Sequence, residues 1–263
     1  MAMANSMLCV HAHPDDESLF TGGVLALAQQ AGATTTVVTC TDGRYGYSPG
    51  EVPYGTEAHD PDGCAALRAE DLVRACGALG VSRLVHFDYH DSGMRGWEIN
   101  AAPEAFVNQD LDAVARRVAA VIDEERPDLV VTYDRFGVYG HPDHIKVYEV
   151  TLRAIELAEH TPALKLVTVQ KSAIAALGQP DENGDLPQWL ADMAEFGSTD
   201  DEVVAMVDVR AVLATKRAAI EAHRSQVDNH FFLSLDEGTF ELLLGGEVFT
   251  ALEPTGEVLR SLL

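Results

Sequence analysis

Apolar positions along the chain follow two rhythms. Short runs at 7–10, 34–41, 84–87 and 129–134 are continuous or β-branched, the pattern of strands buried on both faces. Between them, 18–28, 65–76, 106–126 and 142–152 carry helical spacing, clearest at Leu111, Val114, Val118, Val121 and Ile122. Gly32 fits the end of the first helix, Gly77 or Gly80 that of the second, and Pro127 stops the third. Strand and helix alternate. The expectation is an α/β fold, a Rossmann-like, mostly parallel sheet with helices on both faces. After residue 157 the pattern thins to a strand at 164–170, a turn at 181–184 before a short helix, a strand at 203–209 and a helix at 214–221. This part reads as a small C-terminal extension. Phe231, Phe232, Leu233 and the hairpin-like 245–249 close the core or a contact in a homo-oligomer. With no linker, repeat or low-complexity tract, residues 1–263 are expected to form one domain.

The stretch 42–62 breaks the rhythm with repeated glycine and proline, and a loop this long in a compact domain is usually functional. It leaves the sheet edge that also receives 11–17, so a substrate wall is expected there. Composition narrows the partners. A hydrophobic content of 47% supplies a core, and 18 Lys+Arg against 42 Asp+Glu give a net charge of −24. So acidic a chain argues against nucleic acid and anionic membrane, and the simplest meaning of the charge is solubility. No apolar run reaches the length of a membrane span, and residues 1–6 lack the basic start of a signal peptide. Cys9, Cys40, Cys64 and Cys76 show no Cys-x-x-Cys spacing, and the cytosol is the expected compartment.

Chemistry concentrates where the first strand meets the first helix, at His11, His13, Pro14, Asp15, Asp16 and Glu17. Open α/β sheets bind ligands at that carboxyl edge. Imidazole and carboxylate are zinc ligands, and a cation relieves the repulsion of adjacent aspartates. A spare carboxylate could take the proton of an activated water. Helix capping by Asp15 or Asp16 accounts for the same residues equally well. The fourth strand decides between the two, because it is followed by Tyr139, Gly140, His141, Pro142, Asp143 and His144, a second His-Pro-Asp at a second strand end. Two such clusters on one edge favour a catalytic metal with an open position.

His13-Pro14-Asp15-Asp16-Glu17 together with Gly140-His141-Pro142-Asp143-His144 resembles the LmbE-like, or PIG-L, family of zinc-dependent N-deacetylases. Stretches 37–41, 91–94 and 131–134 support the resemblance, which runs from about residue 7 to 157. Within the family it leans toward deacetylases of N-acetylglucosaminyl-inositol and amidases of mycothiol S-conjugates. It implies one Zn2+ per chain, or Fe2+, on His13, Asp16 and His144, with Asp15 as base. His141 is expected to stabilise the oxyanion and protonate the leaving amine, with Asp143 bonding an imidazole to favour its protonated form. Tyr139 matches a tyrosine that adds a hydroxyl bond. Arg68 and Asp91 match substrate contacts, although Arg68 equally fits an i,i+3 partner of Asp71 on a solvated face, and Asp91-Ser92-Gly93 is good turn chemistry. His223-Arg224-Ser225-Gln226 resembles a stretch near the family's site and equally fits a polar helix end. His86 and His90 read as structural, and Arg116, Arg117 and 123–125 as a solvated helix face. Where the family has Thr-x-Gly-Glu this chain has Thr41-Asp42-Gly43-Arg44, which leaves the sugar's partner open and the chemistry unchanged.

The implied reaction removes an N-acetyl group from an amino sugar, with a small N-acetylated glycoside as partner. The alternative is an amidase acting on mycothiol S-conjugates or another larger N-acyl glycoside. A dinucleotide-binding domain would place glycines where His13-Pro14-Asp15-Asp16 stands, and a serine hydrolase would need a Gly-x-Ser-x-Gly elbow, which the chain lacks.

Overall fold

The computed structural model describes residues 5–177 and 195–250. Its strands are β1 (Ser6–His11), β2 (Thr34–Thr41), β3 (Arg83–Tyr89), β4 (Leu129–Tyr133), β5 (Ala163–Thr168), β6 (Val203–Asp208) and β7 (Gly246–Thr250). They form one sheet in the order β3-β2-β1-β4-β5-β7-β6. The first five run parallel, and β7 is antiparallel to both β5 and β6. The chain moves outward from β1 through β2 to β3, then crosses back to β4 on the other side. That reversal leaves a crevice beyond the carboxyl ends of β1 and β4, the usual ligand position in open α/β sheets. Met7 pairs with Leu129 and Cys9 with Val131, so both strands deliver their following loops to the same level. Their apolar residues are buried and form the middle of the core.

The helices are α1 (Asp16–Phe20), α2 (Gly22–Gln30), α3 (Pro61–Leu79), α4 (Leu111–Glu125), the one-turn α5 (Gly137–Gly140), α6 (Pro142–Leu157), α7 (Lys171–Leu177), α8 (Leu213–Ala222), α9 (Asp228–Ser234) and α10 (Glu237–Leu244). Helices α4 and α6 pack together, as do α2, α3 and α8. The α/β, mostly parallel architecture expected from the alternation is present, with local differences. Helix α3 starts at Pro61, capped by the Asp60 side chain on the Gly63 N–H, and ends at Gly80, so Gly77 lies inside it. The periodic segment 106–126 holds a 3-10 turn (Phe106–Asn108) before α4.

The helix expected at 18–28 is broken at Thr21. The Thr21 hydroxyl lies 2.8 Å from His11 Nε2 and 3.2 Å from the Glu17 carbonyl, while the N–H groups of Gly23 and Val24 donate to Glu247 on β7 at 2.6 and 2.9 Å. Glu247 also takes Lys216 Nζ of α8 at 2.7 Å, both side chains being buried. The part expected as a C-terminal extension therefore belongs to the one sheet: β7 sits between β5 and β6 and feeds a carboxylate into the start of α2. Residues 245–249 are not a hairpin, because β7 pairs along both edges with strands distant in sequence. The turn expected at 181–184 lies outside the described residues.

Candidate active site

After β1 the chain turns through Pro14 into α1. Asp15 carries φ 123° and ψ −24°, a left-handed conformation that costs a non-glycine residue about 1–3 kcal/mol. Several contacts hold it there. Its carbonyl accepts from the N–H groups of Ser18 and Leu19, both at 3.0 Å, its N–H donates to Glu17 Oε2 at 3.0 Å, and its carboxylate meets Arg68 Nη2 at 3.0 Å. Arg68 also donates to the carbonyls of Pro14 and Gly43. Asp16 faces elsewhere: its Oδ2 accepts from the His13 N–H at 2.7 Å and from the Tyr133 hydroxyl at 2.6 Å.

The loop after β4 is folded by Asp134, whose Oδ1 accepts from the N–H groups of Phe136 and Val138 at 2.9 and 3.0 Å. Val138 is forced to φ 67°. Gly137 and Gly140 need their missing side chains: both have positive φ, and a Cβ would fall 2.6 Å from His144 Cβ in the first case and 2.7 Å from Phe196 in the second. His141 then caps α6, its Nδ1 accepting from the Asp143 N–H at 3.1 Å, with Pro142 in the first helical position. The first turn of α6 carries Asp143 and His144 inward, both buried.

The two loops converge. His13 Nδ1 stands 3.1 Å from His144 Nε2, and the Asp16 carboxylate lies 3.5 Å from the former and 3.4 Å from the latter. His13 Nε2 faces Asp143 Oδ2 at 3.2 Å and Asp91 Oδ1 at 3.6 Å. The Tyr139 hydroxyl is 3.5 Å from His144 Nε2. The His141 ring is 4.4 Å from that of His13, and donor atoms of His13, His141 and His144 lie within 4.8 Å of one another.

This donor set fits a divalent ion. His13 turns Nε2 to the Asp143 carboxylate and Nδ1 to His144 and Asp16, the orientation that carboxylate–histidine–metal arrangements use. Burial alone would lower the His13 pKa, yet Asp91, Asp143 and Asp16 together hold it well above its usual range, so the pocket favours a positive charge. Burial opposes Asp16 ionisation, and His144 and His13 outweigh it, holding that carboxyl well below its usual range. Asp15 differs: burial raises its pKa, with Arg68 in partial opposition. Burial, with His13 and His144 nearby, holds His141 well below its usual range and keeps it neutral. Since its Nδ1 accepts a backbone N–H, the neutral ring carries its proton on Nε2.

Every residue expected in the site lies within or against this cluster, but two connections differ from expectation. The Asp143 carboxylate serves His13 and the Ser92 N–H (2.9 Å), not His141, because α6 begins between them and turns the side chain inward. The upward effect expected of it on an imidazole falls on His13. Arg68 is buried against Asp15 rather than paired with Asp71 on a solvated face, and Asp71 pairs with Arg74 instead. Asp91 is buried beside His13, its Oδ1 accepting the Gly93 N–H at 2.7 Å. Outside the site, Arg117 is not merely solvated: its guanidinium lies 4.0 Å from the Phe87 ring centroid. Residues 43–60 border the site, with Tyr54 stacked on Trp97 at 4.4 Å and Tyr45 edge-on to Tyr54 at 4.9 Å.

Tyr133 was missed, and Glu17 and His223 were singled out without being paired. Tyr133 stacks on His144 (4.1 Å, 11°) while its hydroxyl holds Asp16; an aromatic closing an apolar strand reads as core, and its hydroxyl was the available signal. Glu17 and His223 form a fully buried pair at 2.7 Å. That pair resolves the reading of 223–226, since His223 joins the site's support rather than ending a polar helix.

A family comparison gives this geometry a context. The family described as PIG-L, GlcNAc-PI de-N-acetylase, matches residues 8–155, which hold both histidine loops. The chain belongs to the PIG-L family. A PIG-L relative from Rhodococcus jostii strain RHA1, a 1D-myo-inositol 2-acetamido-2-deoxy-alpha-D-glucopyranoside deacetylase, is 41% identical over 237 residues, covering 84% of this chain and 81% of the relative. A protein of the same name from Rhodococcus erythropolis strain PR4 is 39% identical over 247 residues, with 86% and 82% covered. Among solved structures, N,N'-diacetylchitobiose deacetylase from Pyrococcus horikoshii superposes with a TM-score of 0.65 at 18% identity, covering 95% of this chain and 84% of the other. The 4-carboxy-2-hydroxymuconate hydratase of Pseudomonas putida KT2440 gives 0.62 at 18% identity, with 95% and 97% covered. One PIG-L-like architecture thus carries deacetylases and a hydratase, so activity must be argued from the site.

Proposed function

We propose that the protein is a metal-dependent hydrolase that removes the N-acetyl group from an N-acetylglucosaminyl glycoside, an inositol glycoside being the favoured substrate. The observation that carries this reading is the convergence of His13, Asp16 and His144 beside the separate carboxylate of Asp15. His13, Asp16 and His144 would hold one Zn2+ or Fe2+, which when bound supplies Lewis acidity toward the amide carbonyl and lowers the pKa of a water. Asp15 accepts the proton of the attacking water as its oxygen joins the carbonyl carbon. His141, neutral and protonated on Nε2, donates a hydrogen bond to the developing oxyanion, and Tyr139 offers a hydroxyl beside it. The proton held by Asp15 then passes to the amine nitrogen as the C–N bond breaks, giving acetate and a free amine. This assigns the leaving-group proton to Asp15 rather than His141, because the cap contact from Asp143 N–H disfavours a doubly protonated ring. Asp91 and residues 43–60 would face the sugar, and Arg68 would act on it through Asp15.

A second reading, an amidase for S-conjugates, gains from the Tyr45–Tyr54–Trp97 cluster, since aromatic faces suit an apolar arm. The four free, buried cysteines accord with work in the cytosol. The test is metal analysis of the purified protein followed by amine release from the inositol glycoside and from an S-conjugate. About one ion per chain and faster release from the glycoside are expected. His141→Ala should lower kcat about 10²–10³-fold with the metal retained. Loss of the metal in that variant would move His141 into the ligand set, and no acetate release from metal-loaded protein would end the deacetylase reading.

A further inference from the structure

Glu17 and His223 take no part in the reaction just described, yet both are fully buried beside it. The Glu17 carboxylate gathers three donors. Oε2 accepts the Asp15 N–H at 3.0 Å, and Oε1 accepts the Ser18 hydroxyl at 2.5 Å and His223 Nε2 at 2.7 Å. The first contact closes a ring around the one residue of this loop with a left-handed backbone. In α1 the side chain of Glu17 would ordinarily point to solvent or to the next turn; here it is bent back onto the residue that precedes the helix.

His223 fixes where that carboxylate sits. It follows α8, which packs on α1, α2 and α3, and its own N–H bonds the Ile220 carbonyl at 3.1 Å. Ser225 and Gln226 continue the attachment: the Ser225 N–H donates to Asp71 of α3 at 3.2 Å, and Gln226 Oε1 accepts the Tyr47 N–H at 3.0 Å. The imidazole is therefore held from the helix layer and not from the metal-facing loops. A buried carboxylate with its partner removed would rotate toward its remaining donors or admit water, and Asp15 would lose its backbone acceptor.

We propose that Glu17 and His223 form a positioning pair that locks Asp15 in its left-handed conformation and so aims the base carboxylate at the attacking water. The catalytic part of this inference rests on the deacetylase reading; the conformational part does not. Because Asp15 projects from its own backbone, a turn of φ toward negative values swings the carboxylate away from Arg68. Displacements of about 1 Å in a reacting group can cost 10²-fold in rate. The pair acts through Asp15, so substrate affinity should be nearly unaffected.

The test compares Glu17→Gln, His223→Ala and His223→Gln with the wild-type protein, all loaded with zinc. Glu17→Gln and His223→Ala should each lower kcat about 10–100-fold, with KM within twofold and one zinc per chain retained. His223→Gln keeps an N–H donor and should recover a large part of the loss. Crystal structures of Glu17→Gln and His223→Ala should show Asp15 with negative φ and its contact to Arg68 broken. That readout needs no substrate, so it stands even if wild-type protein releases no acetate, an outcome that sinks the deacetylase reading instead. Should either variant fail to fold, the other and His223→Gln carry the comparison. A positive φ at Asp15 in the variants, wild-type kcat with only a lower Tm, or loss of zinc would each overturn the proposal.

Discussion

Asp15 and Asp16 are sequence neighbours whose carboxylates occupy different environments. Asp16 sits between two imidazoles and a tyrosine hydroxyl and is held ionised, whereas burial raises the Asp15 pKa against the pull of Arg68. A ligand should stay charged, and a base should have its pKa moved toward the working pH. Asp15→Asn should therefore keep the metal and lower kcat about 10²–10⁴-fold, as general-base losses do; near-normal turnover would reduce Asp15 to a helix cap. Tyr133 supplies the other residue-level test. Its hydroxyl bonds Asp16 and also accepts the Ala12 N–H at 2.8 Å, so Tyr133→Phe frees the Asp16 carboxylate while the ring stays on His144. Metal affinity, read by chelator competition, should fall about 10–100-fold, the usual effect of losing such a support; unchanged affinity would exclude Asp16 from the ligand set. The histidines and aspartates were legible because two His-Pro-Asp clusters at strand ends are rare by chance. The pairings of Tyr133 with Asp16 and of Glu17 with His223 were not, because the partners lie 117 and 206 positions apart and no local spacing marks such pairs.

The elements of the β1–β5 half were legible because parallel strands buried on both faces and helices packed on one face have distinct periods. The break at Thr21 was not, since the residue that makes α2 start afresh is Glu247, delivered by β7. The same distance hid the placement of β7 between β5 and β6, which depends on antiparallel pairing with both. Lys216 and Glu247 give this arrangement a measurable energy. Both are buried, and removing Lys216 leaves Glu247, among the described residues, with the N–H groups of Gly23 and Val24. Breaking one partner of a buried pair typically costs about 3–5 kcal/mol, whereas replacing both with apolar residues is often near neutral. Lys216→Ala should lose stability on that scale in urea unfolding. Lys216→Met with Glu247→Leu should regain part of it, less the two N–H contacts of α2. A Lys216→Ala loss under 1 kcal/mol would mean the pair is not closed in solution.

At the scale of the whole molecule, the site rests on one edge of the core, joined to it by Tyr133. The core runs through β1, β2 and β4 and the helices on them, while His13, Asp16 and His144, the residues proposed to hold the metal, lie just beyond the ends of β1 and β4. The pocket nonetheless gathers Asp16, Asp91 and Asp143, all buried, in a chain of net charge −24. A divalent ion bound there neutralises close like charges and cross-links the β1 and β4 loops, so it should stabilise without being needed for folding. An ion present at about 1,000 times its Kd adds roughly 4 kcal/mol to the folded state. For a chain of this size, each kcal/mol moves Tm by about 2–4 °C, so chelation should lower Tm by roughly 10 °C while leaving far-ultraviolet circular dichroism unchanged. Adding zinc back should restore both Tm and acetate release. The paired variant His13→Ala should show the lower Tm from the start and no response to chelator. A chelated wild-type protein without helical signal would show instead that the two loops organise the sheet, and a Tm insensitive to chelator and zinc alike would remove the metal from this account.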